Sequence, residues 1–319
     1  MNNFLLAMVL KRLAAGVFIL FGVSVLITLG IEGLSGDVCQ AVLGQAAEPA
    51  TVQACRTELG LDRPMHLRYV EWLFNIVQGD FGFSLASRRD VLEQLIPRLG
   101  NTLYLAGTTA IFAVPIGILL GVIAALYRNS FIDHLISTST LTTISSPEFF
   151  VGYILMAVFA VNLGWFPAIS NIDNSMGFWA RLEASALPVI TLMLVTVAHM
   201  MRMTRASIVS LMASPYIEMA KLKGLKPSRI IVKHALPNAW SPIIQVVVLN
   251  LAYMIVGVVV IEVVFVYPGL GALIVDAVLN RDLPVIQGTA MVFATVYVLL
   301  FLLADVLSML ANPRMRHRR

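Results

Sequence analysis

Six stretches of this 319-residue chain stay apolar for roughly the 20 residues that a helix needs to cross the hydrocarbon core of a bilayer. They run Leu13–Ile31, Leu103–Tyr127, Leu135–Ala160, Leu187–Met201, Ile243–Phe265 and Thr289–Ala311. A water-soluble domain could not hide this much apolar surface: 59% of the residues are hydrophobic and only 13% are charged, against about 25% charged in an ordinary soluble domain. The pattern predicts an all-α fold, a polytopic membrane bundle of six transmembrane helices. The third run is interrupted by Ser145, Ser146, Pro147 and Glu148, and Pro147 is expected to kink it. The fourth is short and is expected to continue as helix through Arg202 and Arg205. The first run follows Lys11 and Arg12 as a signal peptide would. It is longer than the roughly 7–15 apolar residues of such a peptide and lacks a nearby small-residue cleavage site, so it reads as a retained span.

The basic residues flank these spans, which assigns the net charge of +4 to membrane topology and leaves no case for nucleic acid. The short loops 161–186 and 266–288 carry one Lys or Arg each, whereas 202–240 carries seven. The latter is therefore placed in the cytoplasm with both termini, on a multi-pass chain. The long first outer loop, about Glu32–Thr102, holds Leu67, Val70, Leu73, Phe74 and Val77 at helical spacing, with Tyr69 and Trp72 among them. This is either an amphipathic helix on the outer membrane surface or a small packed helix in a soluble cap. Gly79–Gly82 reads as a turn.

Two cysteines are too few for a disulfide scaffold and lack zinc-ligand spacing. Cys39 and Cys55 both fall in the outer loop, in an oxidising compartment if the host is Gram-negative, and a disulfide between them is expected. The alternative is two free thiols. Glu148, Glu262 and Asp305 lie at or near membrane depth, where a charge costs on the order of 2.5–3.5 kcal/mol and so faces protein or water. Structural roles are expected for Glu262 and Asp305. Glu148 follows the proline and either lines a pathway or makes a helix–helix hydrogen bond. Met200, Met201, Met203, Met212 and Met219 read as packing residues, and the five histidines form no ligand cluster.

The cytoplasmic loop carries the most specific signal. It contains Ser214-Pro215-Tyr216-Ile217-Glu218-Met219-Ala220-Lys221-Leu222-Lys223-Gly224 and, further on, His234-Ala235-Leu236-Pro237-Asn238. By composition, Leu211–Leu222 can form a helix, Gly224 a left-handed stop, and Pro227 and Ser228 the start of a second short helix. The stretch resembles the EAA signature of ABC importer permeases, with Glu218, Ala220, Gly224, Leu236 and Pro237 at the expected spacing and Met219 in place of the middle alanine. Leu59–Pro64, Gly79–Ser84, Val260–Phe265, Tyr267–Gly271, Arg281–Gly288 and Asn312-Pro313-Arg314 are similar to segments of the dipeptide/oligopeptide/nickel permeases, so the resemblance covers nearly the whole chain.

The resemblance implies a type I ABC importer permease, multi-pass in the bacterial cytoplasmic (inner) membrane. Residues 1–102 would hold the first transmembrane helix and the long outer loop. Residues 103–319 would form a core domain of five transmembrane helices with the coupling loop 202–240. The implied partners are a second homologous permease, two ABC ATPases, an extracytoplasmic substrate-binding protein and membrane lipid. No phosphate-binding Gly-x-x-x-x-Gly-Lys-Ser/Thr loop is present. No cofactor is expected on this chain, ATP and Mg belonging to the ATPase subunits, and the permease itself is expected to be no enzyme. Glu218, Ala220, Gly224, Leu236 and Pro237 would couple it to an ATPase. Peptides lead as cargo, with nickel chelates, glutathione and opine-like compounds open. An ion-driven secondary transporter or channel would share the six spans but not the EAA spacing.

Overall fold

The computed structural model describes residues 2–32, 38–44, 46–58, 60–173 and 175–311. Leu59 and the Asn312-Pro313-Arg314 segment lie outside them. In chain order the helices are α1 (Asn2–Glu32), α2 (Val38–Leu43), α3 (Pro49–Glu58), α4 (Met65–Val77), α5 (Val91–Leu126), α6 (Phe131–Ser145), α7 (Glu148–Leu155), α8 (Phe178–Ala184), α9 (Ala186–Leu211), α10 (Pro215–Leu222), α11 (Pro227–Ile230), α12 (Leu236–Val264), α13 (Leu270–Leu279) and α14 (Leu283–Ala311). Wider π-helical turns extend α7 over Met156–Asn162 and join α11 to α12 over Ile231–Ala235. Among the described residues the extended pairing is a single bridge, Phe83 to Asp90.

Among the described residues, four uninterrupted helical stretches are long and apolar enough to cross a membrane: Leu6–Gly30, Val91–Leu126, Ala186–Leu211 and Leu283–Met309. Two bent helix pairs pass the same test together, which makes up to six crossings if each pair is one span. Phe131–Ser145 and Glu148–Asn162 meet at 104°, a corner far sharper than the kink expected at Pro147. Pro147 sits there in extended geometry, φ −59° and ψ 142°, and has no N–H to continue the ladder. Pro227–Trp240 and Pro242–Ile255 meet at 58°. The fourth span continues past Arg202 and Arg205 to Leu211, because Met, Arg, Ala and Leu all favour helix. The second begins twelve residues before its apolar part, where Asp90 Oδ1 accepts from Glu93 N at 3.1 Å.

The chain divides into two compact units. The first holds Leu103–Tyr267 with parts of 1–13 and 297–319. Its centre is α9, whose Leu187, Leu192, Met200, Met201 and Ile208 are buried, packed against α12, α6 and α7. Gly117 and Gly121 let α5 approach α9: an added Cβ would come within 2.9 Å of Met200 Cβ and 2.7 Å of Thr204 Cβ respectively. Small residues four apart serve such close helix pairs where lipid offers no hydrophobic drive. Asp305 forms a forked ion pair with Arg12, 2.8 Å at its shortest, and Glu262 is fully buried against Tyr267. The guanidinium of Arg181 lies 4.2 Å from the centroid of the Tyr104 ring.

The second unit holds Ala14–Thr102 and Pro268–Val296. Its core joins Val91 and Leu95 of α5, Leu270, Leu273 and Ala277 of α13, and Val285 and Ile286 of α14. Segments far apart in sequence converge here. Asp282, 4% exposed, accepts from Ser84 Oγ and from the backbone N–H groups of Leu85 at 3.0 Å and Ala86 at 3.3 Å. Thr102 Oγ1 accepts from Leu270 N at 2.8 Å, Asn101 donates to Pro268 O at 2.8 Å, and Gly288 leaves room for Phe81. Cys39 of α2 and Cys55 of α3 are disulfide-bonded, with Cα atoms 6.0 Å apart. On α4, Tyr69 shares a hydrogen bond with Ser24 at 2.8 Å, whereas Leu67, Val70, Phe74 and Val77 form an exposed apolar stripe.

Candidate coupling loop and transmembrane cavity

The expected helix over Leu211–Leu222 is two helices. α9 stops at Leu211, and α10 restarts at Pro215 with Ser214 at its N-cap in extended geometry. Proline is favoured at the first helical position, where its missing N–H costs nothing. The C-terminus of α10 closes as a Schellman motif. Leu225 N donates to Ala220 O at 3.3 Å, Gly224 N donates to Lys221 O at 2.9 Å, and Gly224 takes φ +74°. Ile217 and Ala220 of α10 then pack on Ile230 and Ala235 in one small buried cluster, with Leu225 at its edge.

The five signature residues occupy different environments. Ala220 is 8% exposed inside the helical pair, and Gly224 makes the turn. Leu236 packs at the base of α12 against the cluster around Ile208 and Ile243, while Glu218 and Pro237 are exposed. Sequence reasoning missed the free face of α10. Met219 is 56% exposed and Leu222 77%, beside Tyr216 at 43%. Of the five methionines singled out in the sequence, Met200 and Met201 are buried, Met212 packs at the edge of two clusters, and Met203 and Met219 are exposed. Met219 and Leu222 stand exposed on a helix–turn–helix that otherwise carries charge.

A cavity of about 560 Å³ lies between α7, α9 and α12 of the first unit. Leu192, Thr196, His199 and Met203 line it from α9, at the three-to-four-residue spacing of one helix face. Asn250, Tyr253 and Gly257 line it from α12 at the same spacing. Glu148 enters from the first turn of α7, half-buried. A Cβ added at Gly257 would lie 2.6 Å from Glu148 Oε2, so the glycine is what admits the carboxylate. Among the described residues, the Glu148 side chain makes no hydrogen bond or ion pair. His199, Asn250 and Tyr253 were not singled out from the sequence. Their signal is a row of polar side chains at helical spacing within apolar spans.

No group of three or more His, Cys, Asp or Glu suited to a metal occurs among the described residues. Comparison with known proteins gives a consistent result. Residues 117–317 match the family model of the binding-protein-dependent transport system inner membrane component, and residues 5–106 match the N-terminal model of the same membrane components. The glutathione transport system permease proteins GsiC of Escherichia coli (strain K12) and Shigella flexneri serotype 5b (strain 8401) are each 38% identical over 310 residues, 97% of this chain and 99% of theirs. The fold is that of the MetNI methionine ABC transporter in inward facing conformations, with TM-score 0.57 and 17% identity over 69% of this chain and 97% of that one. The chain therefore belongs to the family of binding-protein-dependent transport system inner membrane components, the transmembrane permease subunits of ABC importers.

Proposed function

We propose that this permease forms half of the translocation pathway for a peptide or a related small solute, and that it pairs with a second, different permease. The observation that carries the cargo class is the full-length similarity to permeases named for glutathione, itself a tripeptide. Two ATPase subunits, which hold ATP and Mg, supply the energy, and one of them receives α10 and α11 in a groove. The exposed Met219 and Leu222 support that reading. An extracytoplasmic binding protein delivers the cargo. The basic 202–240 loop and both termini face the cytoplasm, and the exposed stripe on α4 lies in the outer lipid interface. Glu148 lines the pathway.

The test is reconstitution. When coexpressed with its partner subunits, the chain is expected to copurify with two ATPases, and loaded binding protein is expected to stimulate both ATP hydrolysis and uptake into vesicles. Uptake by the chain alone, driven by an ion gradient, would replace this reading with a secondary transporter. The Cys39–Cys55 bond lies on the binding-protein side in this topology. Both thiols are expected to resist alkylation until reductant is added, as checked by mass mapping. Closing the 16-residue separation contributes roughly 3 kcal/mol in the chain-entropy account. Complete alkylation without reductant would show free thiols instead.

A further inference from the structure

We propose that the cavity between α7, α9 and α12 is a cargo-binding site within the spans, and that Glu148 there holds a primary ammonium group of the cargo. The inference rests on the permease reading and adds a ligand chemistry to it.

Charge comes first. Glu148, His199 and Tyr253 are the titratable side chains that line the cavity, and no Lys or Arg lines it. The Glu148 carboxylate has no partner among the described residues, yet it is seated with care, its Oε2 against Gly257. A carboxylate at membrane depth is expensive unless it meets water or a cation. The Thr196 and Tyr253 hydroxyls line the same cavity, and among the described residues neither is hydrogen-bonded to the carboxylate.

The remaining polar groups are biased the same way. Asn250 is 5% exposed, and its Nδ2 donates to Val246 O at 2.8 Å. A carbonyl can only accept, so the amide orientation is set, and Oδ1 is left as the group available to the cavity. Asn250 and Gly257 are two turns apart on α12, about 10 Å at ~1.5 Å per residue. That matches roughly three extended residues at ~3.3–3.6 Å each. An ammonium on Glu148 therefore leaves an acceptor within reach of a peptide N–H further along. His199 lies just before the basic 202–240 segment and Asn250 seven residues into the Ile243–Phe265 run, so the site falls in the half of the spans nearer that segment. A cavity of about 560 Å³ is in the usual range for small-molecule sites.

The test uses the assembled transporter in lipid nanodiscs, with Leu249→Cys as a reporter in the cavity wall. The probes are Ala-Ala and N-acetyl-Ala-Ala, which differ in the ammonium. Ala-Ala is expected to slow maleimide labelling of the reporter, and N-acetyl-Ala-Ala to leave it unchanged. Glu148→Gln is expected to raise the Ala-Ala concentration needed by about tenfold or more, the usual weight of a charge-assisted hydrogen bond. Gly257→Ala, which crowds the carboxylate and keeps its charge, is expected to act in the same direction. Equal protection by both probes overturns the proposal, as does insensitivity to both substitutions. Equal protection by KCl reassigns the site to small inorganic cations. Absence of protection in a complex that still hydrolyses ATP in response to loaded binding protein removes the amine site and leaves the permease reading standing. A chain that never assembles with ATPases removes the permease reading itself.

Discussion

A Gly224→Val permease is expected to insert normally in the membrane and to lose its connection to ATP hydrolysis. Gly224 takes φ +74°, and open space surrounds the position where a Cβ would stand. The cost of the substitution is therefore conformational and not steric crowding. A left-handed backbone costs an L-residue roughly 1–2 kcal/mol, and a β-branched residue fits it worst. The two hydrogen bonds of the Schellman closure depend on that φ, since they draw Leu225 back over Ala220. When they open, α10 is no longer fixed against Ile230 and Ala235, and the face bearing Met219 and Leu222 changes direction. Coupling between two sites needs contacts that differ between two states, so a misdirected contact separates them. The measurement is ATP hydrolysis stimulated by loaded binding protein, read beside copurification and uptake. Stimulation and uptake are expected to fall at least about tenfold, a change of about 1.4 kcal/mol in the coupled equilibrium. Gly224→Ala, which avoids the branched side chain, is expected to fall between the two. Wild-type stimulation in a well-expressed Gly224→Val chain would show that this turn is not the coupling element.

The turn could be read from the sequence because its chemistry is local: a glycine ends one helix and a proline begins the next within a few residues. The six apolar runs were legible for the same reason, since crossing a bilayer is a property of a segment's own composition. Long-range relations were not. Asp282 appeared in the sequence only as part of a family segment, and nothing local announced that it accepts from the backbone of Leu85 and Ala86. The apolar helix α13 lay hidden in what read as an outer loop, because ten residues are too few for a span and its burial depends on α5 and α14. The cavity was half visible. Glu148 stood out as a charge in an apolar run, but Asn250 and His199 gained meaning only once two helix faces were set across from each other.

The largest loss of stability from a single side chain is expected at Arg205, which the sequence presented as one more basic residue in a cytoplasmic extension. Its Nε and Nη2 each donate to an oxygen of Asp133 at 2.7 Å, a forked pair that ties α9 to the first turn of α6. Asp133 is only 3% exposed. It also accepts from Asn129 N at 2.9 Å and from Ser137 Oγ at 3.3 Å, so its carboxylate is held on several sides. Removing the arginine leaves the carboxylate with Asn129 N and Ser137 Oγ, and because the guanidinium is itself 28% exposed the loss is expected at about 1–3 kcal/mol. Arg205→Leu is therefore expected to lower the unfolding midpoint of the detergent-solubilised chain sharply, as read by the loss of its monodisperse elution peak on heating. The double variant Asp133→Leu, Arg205→Leu distinguishes a stranded charge from a lost contact. Replacing both partners with apolar groups avoids the stranded charge, so most of the midpoint is expected to return. Recovery should stop short of wild type by about 1 kcal/mol, because Asn129 N loses its acceptor in the double variant. If Arg205→Leu alone melted within a degree of wild type, water would be screening the pair, and the tie between α6 and α9 would rest on packing alone.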